Sequence, residues 1–330
     1  MKGIVGTHAS NFHLDDVTAS LLLQYTTAFA RHQLIRSLDV AELERACDLV
    51  FDIGGVYDHA ALRYDHHQRG FAETFDAQHA TKLSACGLIY KHYGPEIIAN
   101  LRRKYEPFGA PLTEAQLAWF HRKWYNVFFE AIDANDNGIN QFDGDPKFLS
   151  TTSLPQRVAA LNAHAGGVLR MDAFIDAQQL VKAELLDSFR WILFSLLPTH
   201  TKLSAVFERR REYDPLGRVL VLEERMNWKE ILPELEKEEA RRTGTLAQVL
   251  YVVSEDEARK QWGSIAVSVR PGSFEMRRPF PAPWRGLRDQ ELAAVCGVPS
   301  AVFTHSSGFL ACAKTREDMM EMVARALAFE

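Results

Sequence analysis

The chain has 330 residues, of which 47% are apolar and 25% charged, with 19 glycines and 13 prolines. This length accommodates one large domain or two ordinary ones, and the composition excludes global disorder, collagen and coiled coil. No apolar run approaches the roughly 18 residues of a membrane-spanning helix. The formal net charge of −5, averaged over the chain, gives no support to nucleic-acid binding.

The four cysteines are scattered along the chain without a CxxC pair. This spacing suits a reducing compartment and argues against a zinc site made of cysteines. The first residues lack the apolar core of a signal peptide and the arginine-rich helix of a transit peptide. We therefore expect an intracellular location, either cytoplasmic or, if a targeting segment has been removed, nuclear or mitochondrial.

Charge is distributed unevenly along the sequence. Residues 1–80 contain eleven acidic and six basic residues together with seven of the twelve histidines, so they carry the whole net charge of −5. Residues 259–288 contain seven basic residues and one acid, a local charge of +6. The first segment suits a metal site and the second an anionic ligand, although charge clusters are also common on solvated faces.

The first half of the chain alternates predicted strands and helices. Strands are predicted over 3–7, 34–35 and 49–52, and helices from about Asp15 through 17–29 and over 40–47. This alternation indicates βαβ units and a buried parallel sheet. Further helices are predicted over 82–93, 117–132 and 174–197.

Predicted strands dominate after Pro198. They cover 219–223, 249–254, 263–269 and 301–304, and an amphipathic helix over 316–329 follows. The polar segment 209–217 is the best linker candidate. We therefore predict two α/β domains, with the boundary between residues 205 and 206.

Candidate metal ligands follow the predicted strands. His8 comes after the first strand and Asp52 ends the third, and open parallel sheets bind ligands at the carboxyl ends of their strands. His13 and Asp15 would face the same way in an extended loop. Mixed imidazole and carboxylate ligands suit Mn, Zn or Fe better than Ca or Mg. Asp52 is placed to bridge two ions about 3.5–4 Å apart.

The tripeptide Asp65-His66-His67 adds two adjacent imidazoles that point in different directions in most backbone conformations. One can bind a metal while the other contacts substrate. Asp65 can orient an imidazole without itself binding the metal. Asp133 and Asp136 share one face if their segment is helical. Either one could complete a second metal site.

Several longer strings resemble the melanocyte-proliferating-gene exonuclease family, and Asp-His-His alone is similar to the wider DHH phosphoesterases. The strings occur in order along nearly the whole chain: GTHASNFHLDD, DIGGVYDHAALRYDHHQRGFAETF, KLSACGLIYKHYG, DANDNGI, PWRGLRD and FTHSSGFLACAKTRE. The resemblance implies a DHH-like, metal-dependent hydrolase, with 3′–5′ RNA exonuclease activity in the eukaryotic members. It also implies a parallel-sheet DHH-type catalytic domain at 1–205 and a smaller α/β substrate-binding domain at 206–330.

The same resemblance implies two sets of metal ligands. The first set is His8, His13 and Asp52; the second is Asp15, Asp52, His66 and either Asp133 or Asp136. We favour Asp133 because it lies nearer the end of the predicted helix. His13 replaces a carboxylate of the common DHH pattern, which softens the first site and leaves the metal open. We expect two Mn²⁺ ions, with Zn²⁺ or Mg²⁺ as alternatives.

Candidate substrate contacts lie in both predicted domains. His67 and Arg69 are candidates for the scissile phosphate, and His67 could instead help to protonate the leaving group. A loop with His305, Ser306 and Gly308 resembles the phosphate-binding loop of DHH nucleases and could form an anion nest, with Lys314 and Arg316 nearby.

Four arginines alternate with aromatic residues in the basic segment, as in a platform for single-stranded nucleic acid. They are Arg277, Arg278, Arg285 and Arg288, interleaved with Phe274, Phe280 and Trp284. Alternatively, Phe280 and Trp284 anchor the core and the arginines solvate a loop.

The sequence as a whole predicts a metal-dependent phosphodiesterase, a 3′–5′ exonuclease acting on RNA or short oligonucleotides. Three alternatives stay open: a small-molecule phosphohydrolase such as a pyrophosphatase or nucleotide phosphatase, an amide or peptide hydrolase, and a non-catalytic metal-containing binding protein. The oligomeric state is open and a dimer is permitted.

Overall fold

The chain divides into two compact units, Met1–Leu193 and Phe194–Glu330, called unit 1 and unit 2 below. The structure, a computed structural model, describes residues 3–164 and 171–329. The predicted assignment of catalytic and substrate-binding domains, with a boundary between residues 205 and 206, stays a prediction. No helix within the described ranges combines the length and apolarity needed to cross a membrane.

Unit 1 contains a five-stranded sheet in the order β2-β1-β3-β5-β4. Its strands are β1 (Ile4–Thr7), β2 (Gln33–Arg36), β3 (Leu49–Phe51), β4 (Tyr57–Asp58) and β5 (Arg63–Tyr64). The pairs β1/β2, β1/β3 and β3/β5 are parallel, whereas β4 pairs with β5 in antiparallel fashion. The parallel sheet is confirmed. The β4–β5 hairpin was not predicted, since strands of two residues show no periodicity.

Seven helices of unit 1 lie within the described residues. They are α1 (Leu14–Leu23), α2 (Val40–Ala46), α3 (Ala85–Tyr105), α4 (Glu114–Trp124), α5 (Glu130–Asp136), α6 (Leu154–His164) and α7 (Met171–Trp191). A π-helical turn, Tyr125–Phe129, joins α4 to α5. Every residue of α1 is buried, and this helix packs against α3 and α7. It ends before the predicted Phe29 because Thr26 Oγ1 donates to the Leu23 carbonyl in a turn.

Unit 2 contains a five-stranded sheet in the order β6-β7-β8-β10-β9. Its strands are β6 (Val219–Val221), β7 (Tyr251–Asp256), β8 (Gln261–Ala266), β9 (Ala301–Thr304) and β10 (Leu310–Ala313). Only β6/β7 is parallel; the other three pairs are antiparallel. The helices are α8 (Leu197–Glu208), α9 (Trp228–Thr243), α10 (Asp289–Cys296) and α11 (Arg316–Ala328), and Phe280 and Trp284 lie in the core.

The segment predicted as a linker, 209–217, is instead a folded part of unit 2. Arg210 is buried, pairs with Glu239 and lies 3.7 Å from the ring centroid of Phe207. Asp214 is buried too and accepts hydrogen bonds from the Arg218 guanidinium at 2.6 and 3.0 Å. The prediction was wrong because local composition cannot show that the partner of Arg210 comes from α9.

The parallel strands of unit 1 bring polar side chains to one edge of the sheet. His8 follows β1, Asp52 follows β3, and the tripeptide 65–67 follows β5. Because these strands are parallel, their carboxyl ends lie at the same edge. The N-terminus of α1 and the C-terminus of α5 contribute further aspartates there.

Candidate metal centre

Three overlapping groups of histidine and aspartate side chains lie at this edge, and the potential ligand atoms of each group lie within 4.8 Å of one another. The groups are His8, Asp16 and Asp52; Asp15, His66 and Asp136; and Asp52, Asp65, His66 and His67. Asp52 and His66 each belong to two groups. Together the residues form one cluster, called the His–Asp centre below, that could hold a metal ion.

Asp52 connects the two sides of the His–Asp centre. Its Oδ2 lies 3.1 Å from His8 Nε2, and its Oδ1 lies 3.5 Å from His66 Nε2. Its φ of +56° lies in the left-handed region, which non-glycine residues rarely adopt. Such backbone strain is concentrated at functional sites. The two oxygens face different partners, as a bridging carboxylate requires.

Two consecutive aspartates enter the centre from the first turn of α1. Asp16 Oδ2 lies 3.3 Å from His8 Nε2, and Asp16 Oδ1 accepts hydrogen bonds from the backbone N–H groups of His13 and Val17. The sequence interpretation did not assign Asp16 as a ligand. Its signal was the acidic residue at the third helical position, which is also a capping position.

Four buried polar atoms of the centre have no hydrogen-bond partner in the described structure: Asp15 Oδ2, Asp16 Oδ2, Asp52 Oδ1 and His66 Nε2. Leaving a buried polar atom unpaired costs about 1–3 kcal/mol. Three of these atoms are carboxylate oxygens and one is an imidazole nitrogen, a donor set that divalent transition metals accept. The residues therefore fit a divalent cation.

The pKa values of the centre show an excess of buried negative charge. Burial, with Asp52 and Asp136 nearby, raises the pKa of Asp15 well above its ordinary range. Burial also raises the pKa of Asp16 to about 7, although His8 acts in the opposite direction. A cation would favour the ionised form of both carboxyls.

Contacts between histidines and aspartates in the centre favour the charged forms of His66 and Asp52. Burial opposes the charged form of His66, but Asp136 and Asp52 outweigh it and raise the pKa of His66 to about 10. Burial likewise acts against ionised Asp52, but the neighbouring His66 and His8 imidazoles lower its pKa to about 2. In the absence of a metal, protonated imidazoles thus balance part of the negative charge.

Asp136, and not Asp133, faces the His–Asp centre. Asp136 Oδ2 lies 3.0 Å from His66 Nε2. Asp133 is fully buried, but its carboxylate accepts hydrogen bonds from Ser84 and from the Tyr125 hydroxyl, and it belongs to none of the three groups. The preference for Asp133 is not supported, because its oxygens are already occupied by these donors.

His13 lies at the rim of the centre. Its side chain is 63% exposed, and its Nδ1 is 3.9 Å from Asp136 Oδ1. It belongs to none of the three groups. Its predicted role as a ligand stays a prediction.

The remaining catalytic candidates follow β5. Asp65 Oδ1 accepts hydrogen bonds from His67 Nδ1 at 2.7 Å and from the His66 N–H at 2.7 Å, while Asp65 Oδ2 accepts from the Gly55 N–H at 2.5 Å. The His67 side chain is 62% exposed, and its pKa is raised by the bond to Asp65. Arg69 is exposed. Asp65 therefore orients His67 toward the accessible side of the centre.

In unit 2, Arg277 is not free to bind a substrate. Its guanidinium donates to both carboxylate oxygens of Glu236, at 2.6 and 2.8 Å, and to the Val249 carbonyl at 2.9 Å. Its side chain is only 9% exposed. Arg277 is thus a half-buried residue with structural partners, a correction to its predicted role.

The loop between β9 and β10 contains the other phosphate-binding candidates. The Gly308 N–H donates to the His305 carbonyl at 2.8 Å, and the Ser307 N–H lies 3.2 Å from His305 Nδ1. These two N–H groups have partners within the loop, and the predicted anion nest stays a prediction. His305 is half-buried and Ser306 exposed, so both side chains stay candidates.

The other basic candidates differ in their exposure and in their hydrogen-bond partners. Arg278 donates to the Phe329 carbonyl, Arg285 to the Phe280 carbonyl, and Arg316 to the Tyr213 hydroxyl. Arg288 is exposed and lies 4.2 Å from the ring centroid of Phe303, and Lys314 is exposed as well. Arg288 and Lys314 are therefore the most available cations of this set.

Comparison with known proteins gives consistent matches along the chain. Residues 4–327 match the MYG1 exonuclease family model, described as "Uncharacterised protein family (UPF0160)". A MYG1 protein of Caenorhabditis elegans is 36% identical over 338 residues, covering 99% of this chain and 96% of its own length. The MYG1 exonuclease of Bos taurus is 37% identical over 333 residues (98% and 84%), and that of Homo sapiens 35% over 340 residues (98% and 85%).

Proposed function

The chain belongs to the MYG1 exonuclease family (UPF0160), and from this premise we propose that it is a metal-dependent 3′–5′ exonuclease acting on RNA or short oligonucleotides. The membership confirms the family resemblance found in the sequence. Relatives named exonucleases support hydrolysis of nucleic acid. The DHH-type domain arrangement, the RNA substrate and the polarity belong to the proposal.

One observation carries the proposal: the residues with unpaired buried oxygens and nitrogen belong to overlapping groups whose potential ligand atoms lie within 4.8 Å of one another in each group. His8, Asp16 and Asp52 would hold one cation, and Asp15, Asp52, His66 and Asp136 a second, with Asp52 shared. We propose Mn²⁺, because the mixed donor set suits it. Bound divalent cations lower the pKa of water and stabilise charge on phosphoryl oxygens.

The remaining residues of the centre have roles that follow from their hydrogen bonds. Asp65 holds His67 Nδ1, so His67 Nε2 is left to donate to a phosphate oxygen or to the leaving oxygen. The exposed Arg69 supplies a guanidinium for the phosphate. In unit 2, we propose that His305, Ser306, Lys314 and Arg288 contact substrate phosphates.

The four cysteines are free thiols. This supports an intracellular location, which we propose for the protein because structural disulfides are typical of oxidising compartments.

A panel of substrates and metals tests the proposed function. Purified protein is incubated with single-stranded RNA labelled at the 5′ or the 3′ end, in Mn²⁺, Mg²⁺, Zn²⁺ or EDTA. We expect progressive shortening of 5′-labelled RNA in Mn²⁺ and none in EDTA, with the 3′ label released first as a mononucleotide. Intact RNA beside hydrolysed pyrophosphate or mononucleotide would favour a small-molecule phosphohydrolase. RNA binding without turnover at any ion would favour a non-catalytic protein.

A further inference from the structure

Behind the His–Asp centre, a chain of buried hydrogen bonds leads from Asp15 to Tyr125. Asp15 Oδ1 accepts from the Ser84 hydroxyl at 2.5 Å and from the Cys86 N–H at 2.7 Å. Both donors occupy the same carboxylate oxygen. The carboxylate is therefore fixed in one orientation, with its unpaired Oδ2 left over.

Ser84 is itself held by Asp133. The Ser84 hydroxyl lies 2.7 Å from Asp133 Oδ1, and the Ser84 N–H donates to the same oxygen at 2.9 Å. Asp133 Oδ2 accepts from the Tyr125 hydroxyl at 2.8 Å. Asp15, Ser84, Asp133 and Tyr125 are all buried, so solvent cannot replace these bonds.

Two backbone features, a glycine in α3 and a π-helical turn, allow this arrangement. A Cβ at Gly87 would overlap both carboxylate oxygens of Asp133, so only glycine lets Asp133 lie against α3. Tyr125 begins the π-helical turn, a feature frequent at functional sites, and its ring stacks on Phe75 at 4.0 Å. The acid on α5 is thus held in place by both neighbouring elements.

From this network we infer that Asp133, Ser84 and Tyr125 are positioning residues that aim Asp15 Oδ2 at a cation shared with His66 and Asp136. The inference rests on the proposed metal site and assigns Asp133 a role other than ligand. Hydrogen bonds to metal-binding carboxylates commonly change metal affinity by about 10–100-fold.

Mn²⁺ binding to the full chain, followed by electron paramagnetic resonance, tests the inference. Ser84→Ala should weaken one Mn²⁺ site by about 10–100-fold and leave the other unchanged, because only the Asp15 group loses its support. Tyr125→Phe should weaken the same site by a smaller factor. Raising Mn²⁺ should restore hydrolysis in both variants.

Ser20→Ala is the matched control, since Ser20 is a buried serine on α1 whose hydroxyl accepts from Gln178 at 3.0 Å, away from the centre. It should lower the melting temperature without changing Mn²⁺ affinity. If Ser84→Ala and Tyr125→Phe also keep wild-type affinity at both sites, the positioning role is wrong while the metal site stands. If the wild type binds no divalent cation, the proposed function fails and the positioning role fails with it. Should Ser84→Ala not fold, Tyr125→Phe decides alone.

Discussion

Buried carboxylates occur in both units, but their partners differ. In unit 2, Glu236 faces Arg277 and Glu239 faces Arg210, so each buried acid has a guanidinium of the chain beside it. In unit 1, Asp15, Asp16 and Asp52 keep oxygens without hydrogen-bond partners. Because an unpaired buried charge is costly and His8 and His66 balance only part of it, the acids of unit 1 could hold a divalent cation. Buried acids are thus paired with arginines in unit 2, whereas those of unit 1 form a cluster that could hold a metal ion.

The largest expected effect comes from removing the shared carboxylate of the His–Asp centre. Asp52→Asn should lower RNA hydrolysis by about 10³-fold or more, since both sides of the centre lose a charged oxygen at once. End-labelled RNA assays in Mn²⁺ measure this loss. Asp143→Asn, which changes an exposed acid of the loop after α5, is the control and should keep full activity. An active Asp52→Asn variant would place the chemistry elsewhere.

Removing one partner of an ion pair in unit 2 should lower the stability of the protein. Arg277→Met should destabilise the protein by about 3–5 kcal/mol, because Glu236 stays buried without its partner. The double variant Arg277→Met/Glu236→Leu should recover most of this loss. Urea denaturation measures both. A single variant as stable as the wild type would show that Arg277 is not structural.

A third substitution should separate stability from function within the centre. Burial raises the pKa of Asp16 to about 7, so above this pH Asp16→Asn removes a buried charge and should stabilise the metal-free protein by about 1–3 kcal/mol while lowering activity. With added Mn²⁺, the wild type should become more stable than Asp16→Asn, because the wild type gains a bound ion. Thermal unfolding with EDTA and with Mn²⁺ measures the reversal. Equal melting temperatures in EDTA would argue against an uncompensated charge.

A smaller effect is expected at Arg288, an exposed arginine of unit 2. Arg288→Ala should weaken single-stranded RNA binding a few-fold. Because one phosphate contact is lost, the slope of the logarithm of the binding constant against the logarithm of the salt concentration should change by about 0.7. Fluorescence anisotropy over a range of salt concentrations measures both. Lys229→Ala, on α9, is a control with an exposed cation. Unchanged affinity for Arg288→Ala would remove this arginine from the RNA-binding surface.

The smallest effect concerns His121, a half-buried histidine outside the centre. Burial lowers the pKa of His121 to about 4, although a hydrogen bond to the Tyr90 carbonyl acts against this. In the unfolded chain, the imidazole of His121 takes up a proton near pH 6.5. The contribution of neutral His121 to the free energy of unfolding is therefore fully present above that pH. It should be lost as the pH falls from about 6.5 toward 4. His121→Gln should show a shallower loss over this range in urea titrations, and an identical slope would contradict the assignment.

The sequence predicted the part of the fold and the site that depends on local pattern. The apolar runs before His8 and Asp52 indicated strands, and their carboxyl ends do converge at one edge of a parallel sheet. Asp133 and Asp136 do lie in one helix, α5, which was the condition attached to their predicted common face. The choice between these two acids needed Ser84, which lies 49 residues away from Asp133.

The wrong assignments of Arg210 and Arg277 depend on contacts between distant segments. Arg277 was assigned to substrate because nothing near it in sequence reveals Glu236, which lies 41 residues away. The local charge of +6 over 259–288 therefore overstates the free charge of that segment. Asp16 was overlooked because adjacent residues usually point in different directions, whereas α1 is buried on all sides and directs both acids inward.

Counting the divalent ions bound per chain tests the central claim most directly. Full-length protein equilibrated with Mn²⁺ and freed of excess ion should retain two Mn²⁺ per chain by elemental analysis. Asp52→Asn should retain fewer, and Asp143→Asn should retain two. A wild-type protein that binds no divalent cation, with Asp52→Asn indistinguishable from it, would contradict the account.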